Sequence, residues 1–286
     1  MGKSFETSKK SQTDNRRASP KPSPKKVVKI SAETLNALKL DTTATRGPVE
    51  ESPLPQGRLD PRLASYLEPG SPAVESFKML RAKILTRNSN SRPRTIMVTS
   101  PQPMDGKSMV STNLAINIAQ GINEYVLLVD CDLRRPSLDK IFGLNAHEGI
   151  SEYLEKGTSV GPYFVKTPIA KLSLLPAGKP PPNPSELLSS EKTRRLVEEL
   201  RGRYEDRYII FDATPAQFAA ETTFLASMVD GVLLVVRSGK TARDSVLEAI
   251  ENIGRNKIVG VVFNASNDRH KDYYRHYYRY YRKGQR

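Results

Sequence analysis

Three short stretches of the chain place cations, hydroxyls and carboxylates at spacings that suit phosphate chemistry. The first is Ser100-Pro101-Gln102-Pro103-Met104-Asp105-Gly106-Lys107-Ser108, which follows an apolar pentapeptide and precedes a helical pattern. Backbone N–H groups in such a strand-to-helix loop wrap phosphates, backed by the positive end of the helix. Lys107 can reach β- and γ-phosphates, and the Ser108 hydroxyl can bind Mg²⁺. The pattern is the Walker A loop G-x-x-x-x-G-K-[ST], with Pro101 where the first glycine would stand. The second stretch, Asp130-Cys131-Asp132-Leu133-Arg134-Arg135-Pro136, sets two carboxylates two residues apart at the end of an apolar run. Such a pair is costly unless a cation or a base role uses it. The third ends another apolar run at Asp212, in YIIFDATP, a Walker B arrangement able to hold Mg²⁺ directly or through water. Taken singly, these are a turn, a helix-capping acid and a strand end. At successive strand ends they form one constellation. Cys131 reads as a small packed apolar residue rather than a reactive thiol.

The elements that must position these groups follow from the hydrophobic pattern. Apolar runs at Thr95–Thr99, residues 125–129, Leu172–Leu175, residues 208–211, 232–236 and 258–263 predict strands. Helical spacing covers residues 74–85, 108–120, 193–204, 221–228 and 242–253. Continuous apolar strands separated by helices predict an α/β fold, a P-loop-type, mostly parallel sheet with helices on both faces. Composition divides the chain into a basic, Pro- and Ser-rich segment over residues 1–70, expected to be largely disordered, a folded domain over 71–267, and a flexible tail over 268–286. The tail, DRHKDYYRHYYRYYRKGQR, holds six of the chain's twelve tyrosines: Tyr273, Tyr274, Tyr277, Tyr278, Tyr280 and Tyr281.

Charge and composition exclude several classes. The net charge is +14, but residues 1–48 carry +7 and 268–286 carry +5, leaving the middle at +2. Basicity confined to tails argues against a folded nucleic-acid-binding surface, so no nucleic acid partner is expected. One cysteine and three scattered histidines leave no disulfide and no zinc cluster, which fits a reducing, cytoplasmic compartment. No apolar run approaches the roughly 18–20 residues of a membrane span. The opening MGKSFETSKK has no secretory apolar stretch, and Glu6 stands where a myristoylation signal wants Ser or Thr.

With these residues in place, the chain resembles the bacterial tyrosine autokinases of capsule and exopolysaccharide loci, which use P-loop chemistry. The resemblance rests on SPQPMDGKS, VLLVDCDLRRPSL (the extra Walker A′ motif), YIIFDATP and the terminal tyrosines, and covers roughly residues 59–286. It implies ATP and Mg²⁺ as cofactors. The expected nucleotide contacts are Pro103, Met104, Asp105, Gly106, Lys107, Ser108, Met109 and Asn264, with Ser108, Asp130 and Asp212 at the metal. Lys107, Asp130 and Asp132 are the expected catalytic set; the resemblance favours Asp132 as base and Asp130 as metal-linked. It further implies that the tail tyrosines accept phosphate in trans within a ring. The family's E-x-x-R-x-x-R interface motif reads Glu75-x-x-Lys78-x-x-Arg81 here, and lysine lacks the bidentate fork of arginine. The implied partners are a polysaccharide chain-length regulator acting as membrane adaptor and activator, a cognate tyrosine phosphatase, and other copies of the chain. The implied location is the inner face of the membrane, reached through the adaptor. Two other readings compete: a ParA/MinD-like ATPase switch, which normally carries a second lysine early in the loop, and a nonenzymatic module whose Tyr/Arg tail binds RNA or acidic polysaccharide.

Overall fold

A computed structural model describes residues 59–86, 93–157, 159–203 and 207–266. In chain order its elements begin with α1 (Ala64–Leu67), α2 (Pro72–Leu85), β1 (Thr95–Thr99), α3 (Lys107–Ala119) and β2 (Tyr125–Cys131). There follow α4 (Leu138–Ile141), α5 (Ile150–Lys156), β3 (Val165–Lys166), β4 (Leu172–Leu175), α6 (Pro184–Leu188) and α7 (Glu191–Arg203). The last are β5 (Arg207–Ala213), α8 (Ala220–Met228), β6 (Gly231–Arg237), α9 (Arg243–Ile253) and β7 (Ile258–Asn264). The strands form one sheet in the order β3-β4-β2-β5-β1-β6-β7. Every pairing is parallel except β3 with β4.

Successive side chains of a strand point to opposite faces, so each strand feeds two cores. Met97, Leu127, Val129, Ile209 and Phe211 pack on one face, against residues of α5, α7, α8 and α9. Ile96, Val98, Val126, Leu128 and Ile210 pack on the other, against α2 and α3. Burial on both faces explains why these strands read as unbroken apolar runs. The six strands and five longer helices expected from the pattern are present, with ends shifted by no more than two residues. The pattern did not reveal β3, α1, α4, α5 or α6. These are short, and two to seven residues do not establish a period.

The order begins earlier than the composition suggests. Residues 59–70 belong to the folded unit: Leu63 and Ser65 are fully buried, and α1 packs on α3. This corrects the boundary at residue 71. The six tail tyrosines and residues 1–58 lie outside the described residues. Among the described residues, no helix is long and apolar enough to cross a membrane.

Candidate active site: a phosphate loop facing three carboxylates

The sheet brings the three stretches together at the carboxyl ends of its strands, where open α/β sheets bind ligands. β1 lies between β5 and β6, and β2 lies beyond β5, so Asp130 and Asp212 fall side by side in register. The loop after β1 turns into α3 through Gly106, whose φ of 98° is left-handed. A side chain there would also collide with the amide of Asn264. Asn264 Nδ2 donates to the Asp105 carbonyl (2.8 Å), holding the loop from the end of β7. The Asp105 carboxylate faces inward, accepting from the Thr241 hydroxyl (2.7 Å) and the Gln102 N–H (3.2 Å). Asp105 and Asn264 therefore shape the loop rather than border the cavity it encloses. Met104 also has left-handed φ, 66°, and its side chain is 83% exposed.

The cavity measures about 480 Å³ and is bordered by Pro103, Met104, Gly106, Lys107, Ser108 and Met109 from the loop side. Asp132, Arg134 and Arg135 border it from the β2 end, Thr214, Pro215 and Ala219 from the β5 end. The volume falls in the range of small-ligand sites. Lys107 Nζ lies 2.7 Å from Asp132 Oδ2 and 3.6 Å from Asp212 Oδ2. It also donates to Ser108 Oγ at 3.3 Å. Burial works against the lysine charge, but Asp212, Asp132 and Asp130 outweigh it and hold its pKa above the usual value.

The two acids of the β2 end are placed differently. Both Asp130 oxygens accept backbone N–H groups, from Asp132, Ser137 and Leu138 (3.1 Å each), and the residue is buried. Burial, reinforced by the charge of Asp212, pushes the Asp130 carboxyl up to about 7. Asp132 instead stands at the cavity wall, with Oδ2 on Lys107 and Oδ1 accepting the Arg135 N–H (3.1 Å). Asp212 is fully buried and neither oxygen has a hydrogen-bond partner. Burial raises its pKa; the Lys107 charge opposes, and the Ser108 and Ser111 hydroxyls ease it without a directed bond. A buried carboxylate that accepts nothing is costly. Its orphaned oxygens, beside the Ser108 hydroxyl, fit a divalent cation. No group of three or more His, Cys, Asp or Glu side chains could cage a metal among the described residues. That suits Mg²⁺, which takes one or two carboxylates and completes its shell with waters and phosphates. Cys131 is buried, and burial with the neighbouring carboxylates raises its thiol well above the ordinary value, as an inert thiol requires.

Sequence reasoning did not single out the network that holds Arg134. Arg134 Nε donates to Glu221 Oε1 (3.0 Å) and Nη2 to Ser185 Oγ (2.7 Å), and Ser185 donates to Glu221 Oε2 (2.7 Å). Glu221 is buried at the start of α8. Despite that burial, Ser185 and Arg134 keep its pKa below the usual carboxylate value. No local pattern marks Glu221, because its partners lie 36 and 87 residues away. Glu75, Lys78 and Arg81 are away from the cavity on α2, with Lys78 paired to Glu75 (2.7 Å) and Arg81 near Glu124 (3.8 Å).

Residues 96–286 match the family described as the CobQ/CobB/MinD/ParA nucleotide binding domain. The tyrosine-protein kinase YwqD of Bacillus subtilis is 32% identical over 219 residues, 76% of this chain and 91% of that protein. The crystal structure of the chimerical protein CapA2B2 superposes with a TM-score of 0.67 at 31% identity, covering 74% of this chain and 94% of that one. The kinase domain of the Escherichia coli tyrosine kinase ETK superposes with a TM-score of 0.67 at 26% identity, covering 79% of this chain and 84% of that one. The chain, with its phosphate loop facing an acid pair and a Walker B carboxylate, therefore belongs to the CobQ/CobB/MinD/ParA nucleotide-binding family, in its branch of bacterial tyrosine kinases.

Proposed function

We propose that this protein is an ATP-dependent protein-tyrosine kinase that phosphorylates its own C-terminal tyrosine cluster, in trans between copies, and so regulates capsule or exopolysaccharide synthesis and export. The observation that carries this reading is the contact of the loop lysine with Asp132, on a sheet whose last strand ends beside that loop. Asn264, the last residue of β7, touches Asp105, so the last strand ends at the loop itself.

The roles follow from the chemistry of each group. The loop backbone and Lys107 bind phosphates, while Ser108 and Asp212 would hold Mg²⁺, which when bound would supply charge stabilisation for the phosphoryl oxygens. A tyrosine hydroxyl, with a pKa of about 10, must lose its proton as it attacks. Asp132 is the acceptor, since its carboxylate borders the cavity, with Oδ1 on the Arg135 N–H and Oδ2 on Lys107, whereas Asp130 is not among the residues that border it. Asp130 supports the metal side of the site through the charge it shares with Asp212. The tail, 268–286, spans at most about 60 Å when extended, enough to reach a neighbouring copy. Its +5 charge favours an acidic site, and three phosphates at about −1.5 to −2 each bring it to about 0 or −1. Phosphorylated tails then leave, and a ring held through Glu75, Lys78 and Arg81 loosens. A membrane adaptor of the chain-length-regulator kind activates the kinase at the inner membrane face, and a tyrosine phosphatase resets it.

The test is purified protein with Mg-ATP, followed by mass mapping of phosphotyrosine. Phosphate is expected on residues 273–281, and replacing the six tail tyrosines with Phe removes nearly all of it while ATP still binds. Tyr153 and Tyr163 are buried and only Tyr66 of these three is exposed, at 41%. Strong labelling that persists on Tyr66 would refute the tail as main acceptor. ATP hydrolysis with no phosphotyrosine anywhere would favour the ATPase switch.

A further inference from the structure

Residues 59–67 approach the phosphate loop from outside the sheet and are fixed to α3 by a row of amides. Asn113 Nδ2 donates to the Arg62 carbonyl (2.6 Å), and its Oδ1 accepts from the Ser65 N–H (2.8 Å). Asn117 Nδ2 donates to Ser65 Oγ (2.6 Å), and Gln120 Nε2 donates to the Ser65 carbonyl (3.1 Å). Asn113 and Asn117 are fully buried, and the three lie on one face of the helix, at spacings of four and three. Leu63 is sealed into the core on the same side. Since α3 is the helix that begins at the loop, the backbone of Arg62 is held in fixed relation to Lys107 and Ser108. Its side chain borders the same cavity.

We propose that Arg62 is a ligand of the nucleotide's phosphate chain, exchanging the carboxylate of Asp60 for phosphate oxygens. This rests on the cavity being the nucleotide site. In the structure Arg62 grips Asp60 through Nε (2.9 Å to Oδ1) and Nη2 (2.7 Å to Oδ2). The hydrogen bond and charge of Asp60 raise the Arg62 pKa, so the group is a permanent cation. The guanidinium fork that fits a carboxylate fits phosphate equally well. The pair is solvent-exposed, with side chains 49% and 25% exposed, and such pairs are weak. Arg134 is tied instead to the buried carboxylate of Glu221 and to Ser185. Of the three arginines at the cavity, Arg134 is committed to a buried acid, Arg135 follows the acid pair on the β2 end, and Arg62 alone combines an anchored backbone with an exposed carboxylate partner that is easily given up. A charged fork, anchored by its backbone and loosely held by its head, is what a ligand-responsive contact requires.

The experiment measures Mg-ATP and Mg-ADP affinity by calorimetry on the full chain, for the wild type, Arg62→Ala, Arg62→Lys and Asp60→Ala. Arg62→Ala is expected to weaken binding by about tenfold or more, the loss of a charge-assisted contact. Arg62→Lys recovers part of that, keeping charge without the fork. Asp60→Ala binds as tightly as the wild type or a few-fold tighter. The unfolding temperature without nucleotide stays the same in Arg62→Ala, while the rise induced by Mg-ADP shrinks. Unchanged affinity in Arg62→Ala overturns the proposal and leaves the kinase reading standing. Asp60→Ala weakening binding as much as Arg62→Ala overturns the exchange of partners. A wild type that binds neither nucleotide overturns the proposal and the kinase reading together.

Discussion

At the scale of single residues, the site is a problem in buried charge. Sequence alone suggests that Lys107 faces solvent or phosphate, so that its removal would leave the fold intact. The structure places its ammonium among buried acids, with a side chain only 11% exposed. Lys107→Met therefore leaves Asp132 and Asp212 without their cation. Removing one partner of a buried pair costs about 3 kcal/mol or more. The cost depends on pH, and its sign follows from the remaining acids. Without the lysine, the carboxyls of Asp130 and Asp212, already raised by burial and held down in part by its charge, rise further in the folded state, so protonation relieves the repulsion as the pH falls. Lys107→Met is expected to abolish transfer, unfold well below the wild type at pH 7.5, and recover most of that difference at pH 5. Thermal unfolding at the two pH values checks this; equal deficits at both would show that charge is not the cause. Met104 is a second strained point in the loop, since left-handed φ disfavours any side chain with a Cβ. Arg237 donates to its carbonyl (3.2 Å), one contact that holds the turn.

At the scale of elements, α3 does two jobs, and they differ in how visible they are in the sequence. Its N-terminus carries the loop, and GKS before a helical stretch is legible because local spacing defines it. Its buried face also grips residues 59–67 through Asn113 and Asn117, joined by Gln120 just past its end, and that grip is invisible locally. Amides in a helix read as solvent-facing, and LDPRLASYLEPG reads as linker, because each lacks the apolar content that signals burial. Only their meeting, across 48 to 55 residues, satisfies both. The strands and longer helices were legible for the opposite reason: burial on both faces leaves an unmistakable apolar run. Lys107, Ser108, Asp130, Asp132 and Asp212 were legible as a set because they fall where apolar runs stop, at the start of α3 and at the ends of β2 and β5. Arg62 and Glu221 were not, since distant partners define them. Asn113→Ala removes three hydrogen bonds, one of them to the Met109 carbonyl within α3, and strands the Ser65 N–H and the Arg62 carbonyl. A loss of about 2 kcal/mol is expected. Residues 59–67 should exchange amide hydrogens faster and be cut sooner by protease, while the strands of the sheet keep their protection. Protection of residues 59–67 unchanged from the wild type would mean that apolar contacts through Leu63 suffice to dock the segment.

At the scale of the whole molecule, stability reflects two sets of acids that pull in opposite directions. Asp230 is buried enough to oppose its charge, yet hydrogen bonds from Thr95 and Arg94 and the charge of Arg201 hold its carboxyl below the usual range. Glu221 is lowered in the same way by Ser185 and Arg134. A depressed folded-state pKa gives stability that is present above the unfolded pKa and lost as the pH falls through the folded one. These two acids therefore act only on the acid side, below about pH 4.5. Asp130 and Asp212 are the reverse case, raised by burial, with Asp130 at about 7. For them the folded state holds a proton that the unfolded state has already lost. Native protein binds more protons than unfolded protein over this window, so stability falls as the pH rises. The window runs from about pH 4 to the raised folded pKa. Between pH 5.5 and pH 8 lies the raised value of Asp130, at about 7, while the lowered acids are already fully ionised. Without nucleotide, and with a chelator present, the unfolding temperature is expected to fall by several degrees over that interval. Asp130→Asn should flatten the slope, because the amide has no charge to gain. A wild-type curve that is level or rising from pH 5.5 to 8 would show that the acid pair is already compensated, and that the fold does not store the repulsion a bound cation is expected to relieve.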